Sequence, residues 1–74
     1  GLYAVDATAN RVIYFPPQSF TATTVWGQGA SGTSLTTNAS GTTAVTLSNP
    51  ASVALDNSCR VIIADAANNR VLRY

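Results

Sequence analysis

The sequence predicts an all-β chain built from two partial copies of one antiparallel unit. Three observations predict it. A phrase near the N-terminus returns near the C-terminus: residues 1–15 and 60–74 align without a gap at an offset of 65 − 6 = 59 residues. Asp6, Ala7, Asn10, Arg11 and Val12 recur as Asp65, Ala66, Asn69, Arg70 and Val71, and Leu2/Val61, Ile13/Leu72 and Phe15/Tyr74 are conservative pairs. Short apolar, β-branched runs alternate with clusters of Asn, Asp, Gly and Pro, the pattern of strands and turns. No stretch keeps apolar residues at helical spacing over three turns. Self-similarity at a fixed offset marks repeat architectures, in which a unit buries its apolar face only against a neighbour.

The elements follow in order. Leu2-Tyr3-Ala4-Val5, the Asp6–Asn10 turn and Arg11-Val12-Ile13-Tyr14-Phe15 read as a hairpin. Pro16-Pro17 ends its second strand, because proline has no N–H for a ladder. Thr21 to Trp26 reads as a third strand, closed by Gly27-Gln28-Gly29. Residues 30–49 are small and polar, with Leu35, Val45 and Leu47 as their large apolar side chains. A long connection of this kind is expected to lie outside, pinned by Val45 and Leu47, or to touch a neighbour. After Asn49-Pro50 come a strand over Ser52–Asp56, a turn at Asn57-Ser58, a strand over Arg60–Ala64, a turn over Asp65–Asn69 and a last strand over Arg70–Tyr74. The organisation is therefore a unit at 1–29, a Ser/Thr-rich tract at 30–49 and a unit at 50–74.

Composition bounds the function. The chain has 74 residues and a formal charge of +1, from four Arg against three Asp, with neither Lys nor Glu. Four scattered Arg make no basic footprint for nucleic acid, and no apolar run is long enough for a membrane-spanning helix. A chain this small buries a modest core, and it has a single Cys and no His, so neither an internal disulfide nor a Cys-His zinc site supports it. Association with copies of itself or with neighbouring repeats remains. With no Met and no leader-like segment, a mature or excised piece is expected.

Residues 21–49 hold 13 Ser or Thr among 29, so solubility there rests on hydroxyls rather than charge. That surface suits an extracellular or cell-surface protein carrying O-linked sugar on Thr36, Thr37, Thr42 or Thr43, and equally a plain polar loop. Asn38-Ala39-Ser40 matches the N-glycosylation pattern.

No catalytic residue and no cofactor are read. There is no His, Lys or Glu to act as general base, and three isolated Asp form no dyad. Asp6, Asn10, Arg11 and their counterparts Asp65, Asn69, Arg70 form a structural repeat motif: Asp binds turn N–H groups, and Arg binds turn carbonyls or an Asp of the neighbouring unit. The functional alternative is a ring of Asp and Arg meeting a ligand. Cys59, beside Arg60, is a turn residue, an intermolecular disulfide partner or a reactive thiol. Trp26 is a core or inter-unit contact, or else a ligand platform. Val12, Ile13, Val61, Ile63 and Val71 are expected to be buried largely by contacts from outside their own unit.

The phrases Pro50-Ala51-Ser52-Val53-Ala54-Leu55-Asp56, Val61-Ile62-Ile63-Ala64-Asp65 and Asn68-Asn69-Arg70-Val71-Leu72 resemble an NHL repeat. So do Asp6, Asn10, Arg11, Val12 and Phe15 of the first unit, although Ala4-Val5 stands where Val-Ala is usual and Cys59 where Gly is usual. Val25-Trp26-Gly27-Gln28 resembles the phrase between repeats in long bacterial members. The resemblance covers nearly all of the chain outside 30–44. It implies propeller-blade-like antiparallel strands near 1–6, 11–15 and 21–27, then 51–56, 60–65 and 70–74. That is about one and a quarter repeats, lacking an innermost strand in the first unit and an outermost strand in the second, and incomplete as a closed propeller. Two functions follow as expectations. One is a non-catalytic structural module that adds to copies of itself by strand addition into an oligomer or filament. The other is a fragment of a closed propeller acting as a protein- or glycan-binding scaffold.

Overall fold

The computed structural model describes residues 1–28, 41 and 46–74. These residues form two three-stranded antiparallel sheets and no closed propeller. Sheet I runs β1 (Leu2–Asp6), β2 (Arg11–Phe15), β3 (Thr24–Trp26); sheet II runs β4 (Ser52–Leu55), β5 (Val61–Asp65), β6 (Arg70–Arg73). One 3₁₀ turn, Ala66–Asn68, is the single helical element among the described residues. None of their helices is long and apolar enough to cross a membrane.

β3 is shorter than the expected strand over 21–26. After Pro16-Pro17 the chain passes through a left-handed residue, Gln18 at φ 60°. The Ser19 hydroxyl then donates to the Thr21 carbonyl and accepts the Thr21 N–H. The ladder resumes where the Thr23 N–H reaches the Tyr14 carbonyl at 2.9 Å.

Register decides which side chains share a face, since cross-strand partners point the same way. β1 and β2 pair Val5 with Val12 and Asp6 with Arg11; β5 and β6 pair Ala64 with Val71 and Asp65 with Arg70. Each sheet thus has an Asp face, carrying the Asp–Arg pair, and a Val face, carrying Val12 or Val71. The Val face of sheet I presents Tyr3, Val5, Val12 and Trp26; the Asp face of sheet II presents Val53, Val61, Ile63, Leu72 and, just past β6, Tyr74. These two faces pack on each other around buried Val12, Val61, Ile63 and Leu47. Tyr3 supports this wall through its ring contacts with Tyr14 and Trp26, at centroid distances of 4.7 and 5.9 Å.

Burial of Val12, Val61 and Ile63 across the joint is what a unit too small to cover its own face requires. Leu47, from the connecting tract, fills the centre of that core; Val45, its expected co-anchor, lies outside the described residues. Val71 departs from expectation. It is 68% exposed, because it stands on the Val face of sheet II, the one turned away from the joint. Ile13 is half-buried, on the Asp face of sheet I.

Candidate functional site

The repeated Asp-x-x-x-Asn-Arg builds the same turn twice. Asn10 and Asn69 adopt the left-handed conformation, at φ 59° and 54°, which Asn tolerates better than most residues. Their N–H groups close the turns on the Ala7 and Ala66 carbonyls at 3.1 and 3.0 Å. The next residue, Arg, then begins a strand directly opposite Asp, and its Nε donates to Asp Oδ2: Arg11 to Asp6 at 2.9 Å, Arg70 to Asp65 at 2.8 Å. Each Arg meets the Asp of its own unit, where the sequence had left the neighbouring unit's Asp as an alternative.

Beyond that shared core the copies diverge. Asp65 is fully buried: Oδ1 accepts the Ser48 N–H at 2.7 Å, and Oδ2 accepts from Asn68 at 2.8 Å as well as from Arg70. Asn68 also donates to the Gly41 carbonyl, and Arg70 Nη2 to the Thr46 carbonyl, each at 2.7 Å. The Ala67 N–H reaches the Ser48 carbonyl at 3.2 Å. The second motif is therefore a clamp that holds the 46–48 segment and sets Leu47 into the core. Burial raises the Asp65 carboxyl pKa, but the Ser48 N–H, the Asn68 amide and the Arg70 guanidinium outweigh it and hold it below the usual carboxylate value. In the first unit the position of Asn68 is taken by Ala9, and Asp6 is 36% exposed. That turn is tied down differently: Gln28 Nε2 donates to the Ala9 and Asn10 carbonyls at 3.0 and 2.9 Å, and Asn10 Oδ1 accepts the Asn49 N–H at 2.9 Å.

The turn expected at Asn57-Ser58, with Cys59 in it, joins β4 to β5, and it carries a dense network between Asp56 and Arg60 that the sequence did not assign. Asp56 Oδ1 accepts the N–H groups of Ser58 and Arg60 at 2.8 and 2.9 Å, and Oδ2 accepts from Arg60 Nε at 2.9 Å. The Arg60 N–H is the largest influence holding the Asp56 pKa low. The legible signal was Asp followed by Asn-Ser, an Asx-turn pattern. Cys59 closes this turn at φ 60°, exposed, which explains physically why Gly suits the position.

Trp26 is half-buried against the core between the sheets, an inter-unit contact. Gly27, at φ 102°, is required there: a Cβ would lie 2.7 Å from both the Asn10 carbonyl oxygen and a Leu47 methyl. An apolar groove of about 500 Å³ opens beside Leu2, Phe15, Pro16, Pro17 and Phe20, at one end of sheet I. Among the described residues no three His, Cys, Asp or Glu side chains gather as a metal site. The sugar-acceptor candidates Thr36, Thr37, Asn38, Thr42 and Thr43 lie outside the described residues. What the motif can do chemically is hold chain: one carboxylate is wholly engaged, and the other is paired with Arg11. No family model matches this sequence, and neither a curated protein nor a solved structure matches it.

Proposed function

We propose that this chain is a non-catalytic, extracellular structural repeat module of NHL-like type, which assembles with copies of itself by strand addition into an oligomer or filament. One observation carries the reading: among the described residues the two sheets are truncated on opposite sides. β1 and β5 are equivalents at the 59-residue offset, and β5 pairs with both β4 and β6, whereas β1 pairs with β2 alone among the described residues. β2 and β6 are likewise equivalents, and β2 pairs with both β1 and β3, whereas β6 pairs with β5 alone among those residues. An unpaired strand edge is a template for another strand. Among the described residues β1 lacks a neighbour on one side of the repeat and β6 on the other, so the two edges complement each other in successive copies.

The hydroxyl-rich, Lys- and Glu-free composition supports an extracellular setting, and sugar on the 30–49 tract would cover an uncharged surface. The role of the Asp–Arg motif is to keep each blade in shape. Light scattering with negative-stain imaging across protein concentration tests the proposal, read with amide exchange. Particles at multiples of 7.7 kDa, with β1 and β6 gaining protection on assembly, are expected. A 7.7 kDa species at every concentration refutes it and favours the scaffold-fragment alternative.

A further inference from the structure

The repeat supplies a comparison between what is docked inside the chain and what is left open at its ends. Inside, the Val face of sheet I meets the Asp face of sheet II. The other two faces are the repeat equivalents of that same pair: the Asp face of sheet I corresponds to the Asp face of sheet II, and the Val face of sheet II to the Val face of sheet I. Burial follows the joint in two repeat-equivalent pairs, although Val25, on the Asp face of sheet I and outside the joint cluster, is also buried. Val12 is fully buried and its equivalent Val71 is 68% exposed; Val61 is 6% exposed and its equivalent Leu2 is 60% exposed. Each pair is chemically alike; the buried member stands at the joint on a central strand, β2 or β5, and the exposed member on an edge strand, β6 or β1, with no second unit against it among the described residues.

We infer that a second copy of this chain docks its sheet II Val face onto the sheet I Asp face of the first, repeating the internal joint between chains. The inference rests on the self-assembly proposed above and names the faces that meet, in addition to the strand edges. The docking side of sheet II carries Ala54, Ile62, Ala64, Val71 and Arg73. The receiving side of sheet I carries Leu2, Ala4, Ile13 and Phe15, beside the Asp6–Arg11 pair and Val25, which is already buried in the single chain. Ile62 takes the place that Tyr3 holds at the internal joint. There Tyr3 packs against the core that also holds Val61 and Tyr74. The equivalents of Val61 and Tyr74 on the receiving side are Leu2 and Phe15, which border the 500 Å³ groove. Side-chain size fits as well. The small Ala54 and Ala64 and the compact Val71 leave room beside Ile62 and Arg73 in which the larger Leu2, Ile13 and Phe15 can seat. The contact is heterologous: each copy uses one face to give and a different face to receive, so it propagates in one direction and closes only if the rotation allows.

The test uses two exposed positions, one on each face. Leu2→Asp blocks the receiving face and Val71→Asp the docking face; Ala54→Asp, also exposed and on the docking face, replaces Val71→Asp if that variant loses its β-type circular dichroism. Each variant alone should fall to the 7.7 kDa monomer under conditions where the unaltered chain assembles, and an equimolar mixture should give a species of twice that mass and nothing larger. Unchanged particle size in both variants overturns the face docking while leaving assembly through strand edges standing. Self-association of Leu2→Asp alone also overturns it, because a like-with-like contact of the docking faces would then be at work. Failure of the unaltered chain to assemble overturns the functional proposal itself.

Discussion

Replacing Asp65 by Asn, and Asp6 by Asn, makes the same chemical change at two repeat-equivalent positions whose surroundings differ. Asp65 is fully buried, with Arg70 Nε at 2.8 Å, Asn68 at 2.8 Å and the Ser48 N–H at 2.7 Å. In the Asp65→Asn variant the amide oxygen could still accept from Ser48, but the new NH₂ group would face the Asn68 and Arg70 donors, donor against donor. Removing one partner of a buried pair costs about 3–5 kcal/mol. At Asp6 the carboxylate is 36% exposed, and water can replace what Arg11 loses. Pairs of that kind contribute roughly 0–1 kcal/mol. Urea unfolding at one protein concentration, followed by fluorescence of Trp26, the single tryptophan and a residue at the joint, reads both. With a slope of about 1 kcal/mol per molar urea for so small a chain, the Asp65 variant should lose roughly 3 M of midpoint, or unfold in water, and the Asp6 variant less than about 1 M. Equal shifts in the two variants would refute the clamp argument. The pH dependence has a defined sign. The Asp65 pKa is depressed in the folded chain, so its contribution is present above the unfolded carboxyl value of about 3.9 and is lost as pH falls through the lower folded value. Asp65→Asn should remove that portion of the acid unfolding.

Cys59→Gly should stabilise the chain by roughly 0.5–1 kcal/mol in the same assay: it relieves a left-handed residue, a strain of about 1–2 kcal/mol, partly offset by the greater entropy of unfolded glycine. Leu47→Ala should cost about 2–5 kcal/mol in urea unfolding, since Leu47 is fully buried at the centre of the joint. Gly27→Ala should lower the melting temperature, because its new methyl meets a main-chain oxygen that cannot move aside and its φ of 102° is strained for any other residue. Intact mass of material from the native source should exceed that of the bare 74-residue chain if Asn38 or a threonine of the 30–49 tract carries sugar; equality removes the glycan from the proposal.

Much of the fold was legible from local chemistry. Pro16-Pro17 and the Asn turns end or reverse strands through their own backbone limits, so five of the six strands lie within a residue or two of where the pattern put them. β3 was read too long because Ser19 bonds its own neighbourhood and delays the ladder to Thr23. The motif was legible as a turn, yet its second task was not: Ser48 lies 17 residues from Asp65, and nothing in the spacing joins a main-chain N–H to a carboxylate that far along the chain. Gln28, which caps the Ala9 and Asn10 carbonyls, was hidden for the same reason.

By itself, then, the sequence determined the strand class, the turn positions and the equivalence of the two units, because these follow from each residue's φ preference, missing donors and period-two alternation. Only the tertiary structure decided which face of each sheet is inside. Val12 and Val71 are the same residue in the same phrase, and so are Asp6 and Asp65, yet Val12 and Asp65 are buried while Val71 is exposed and Asp6 only half-buried. In these pairs burial is set by contacts between distant segments, which no local pattern carries.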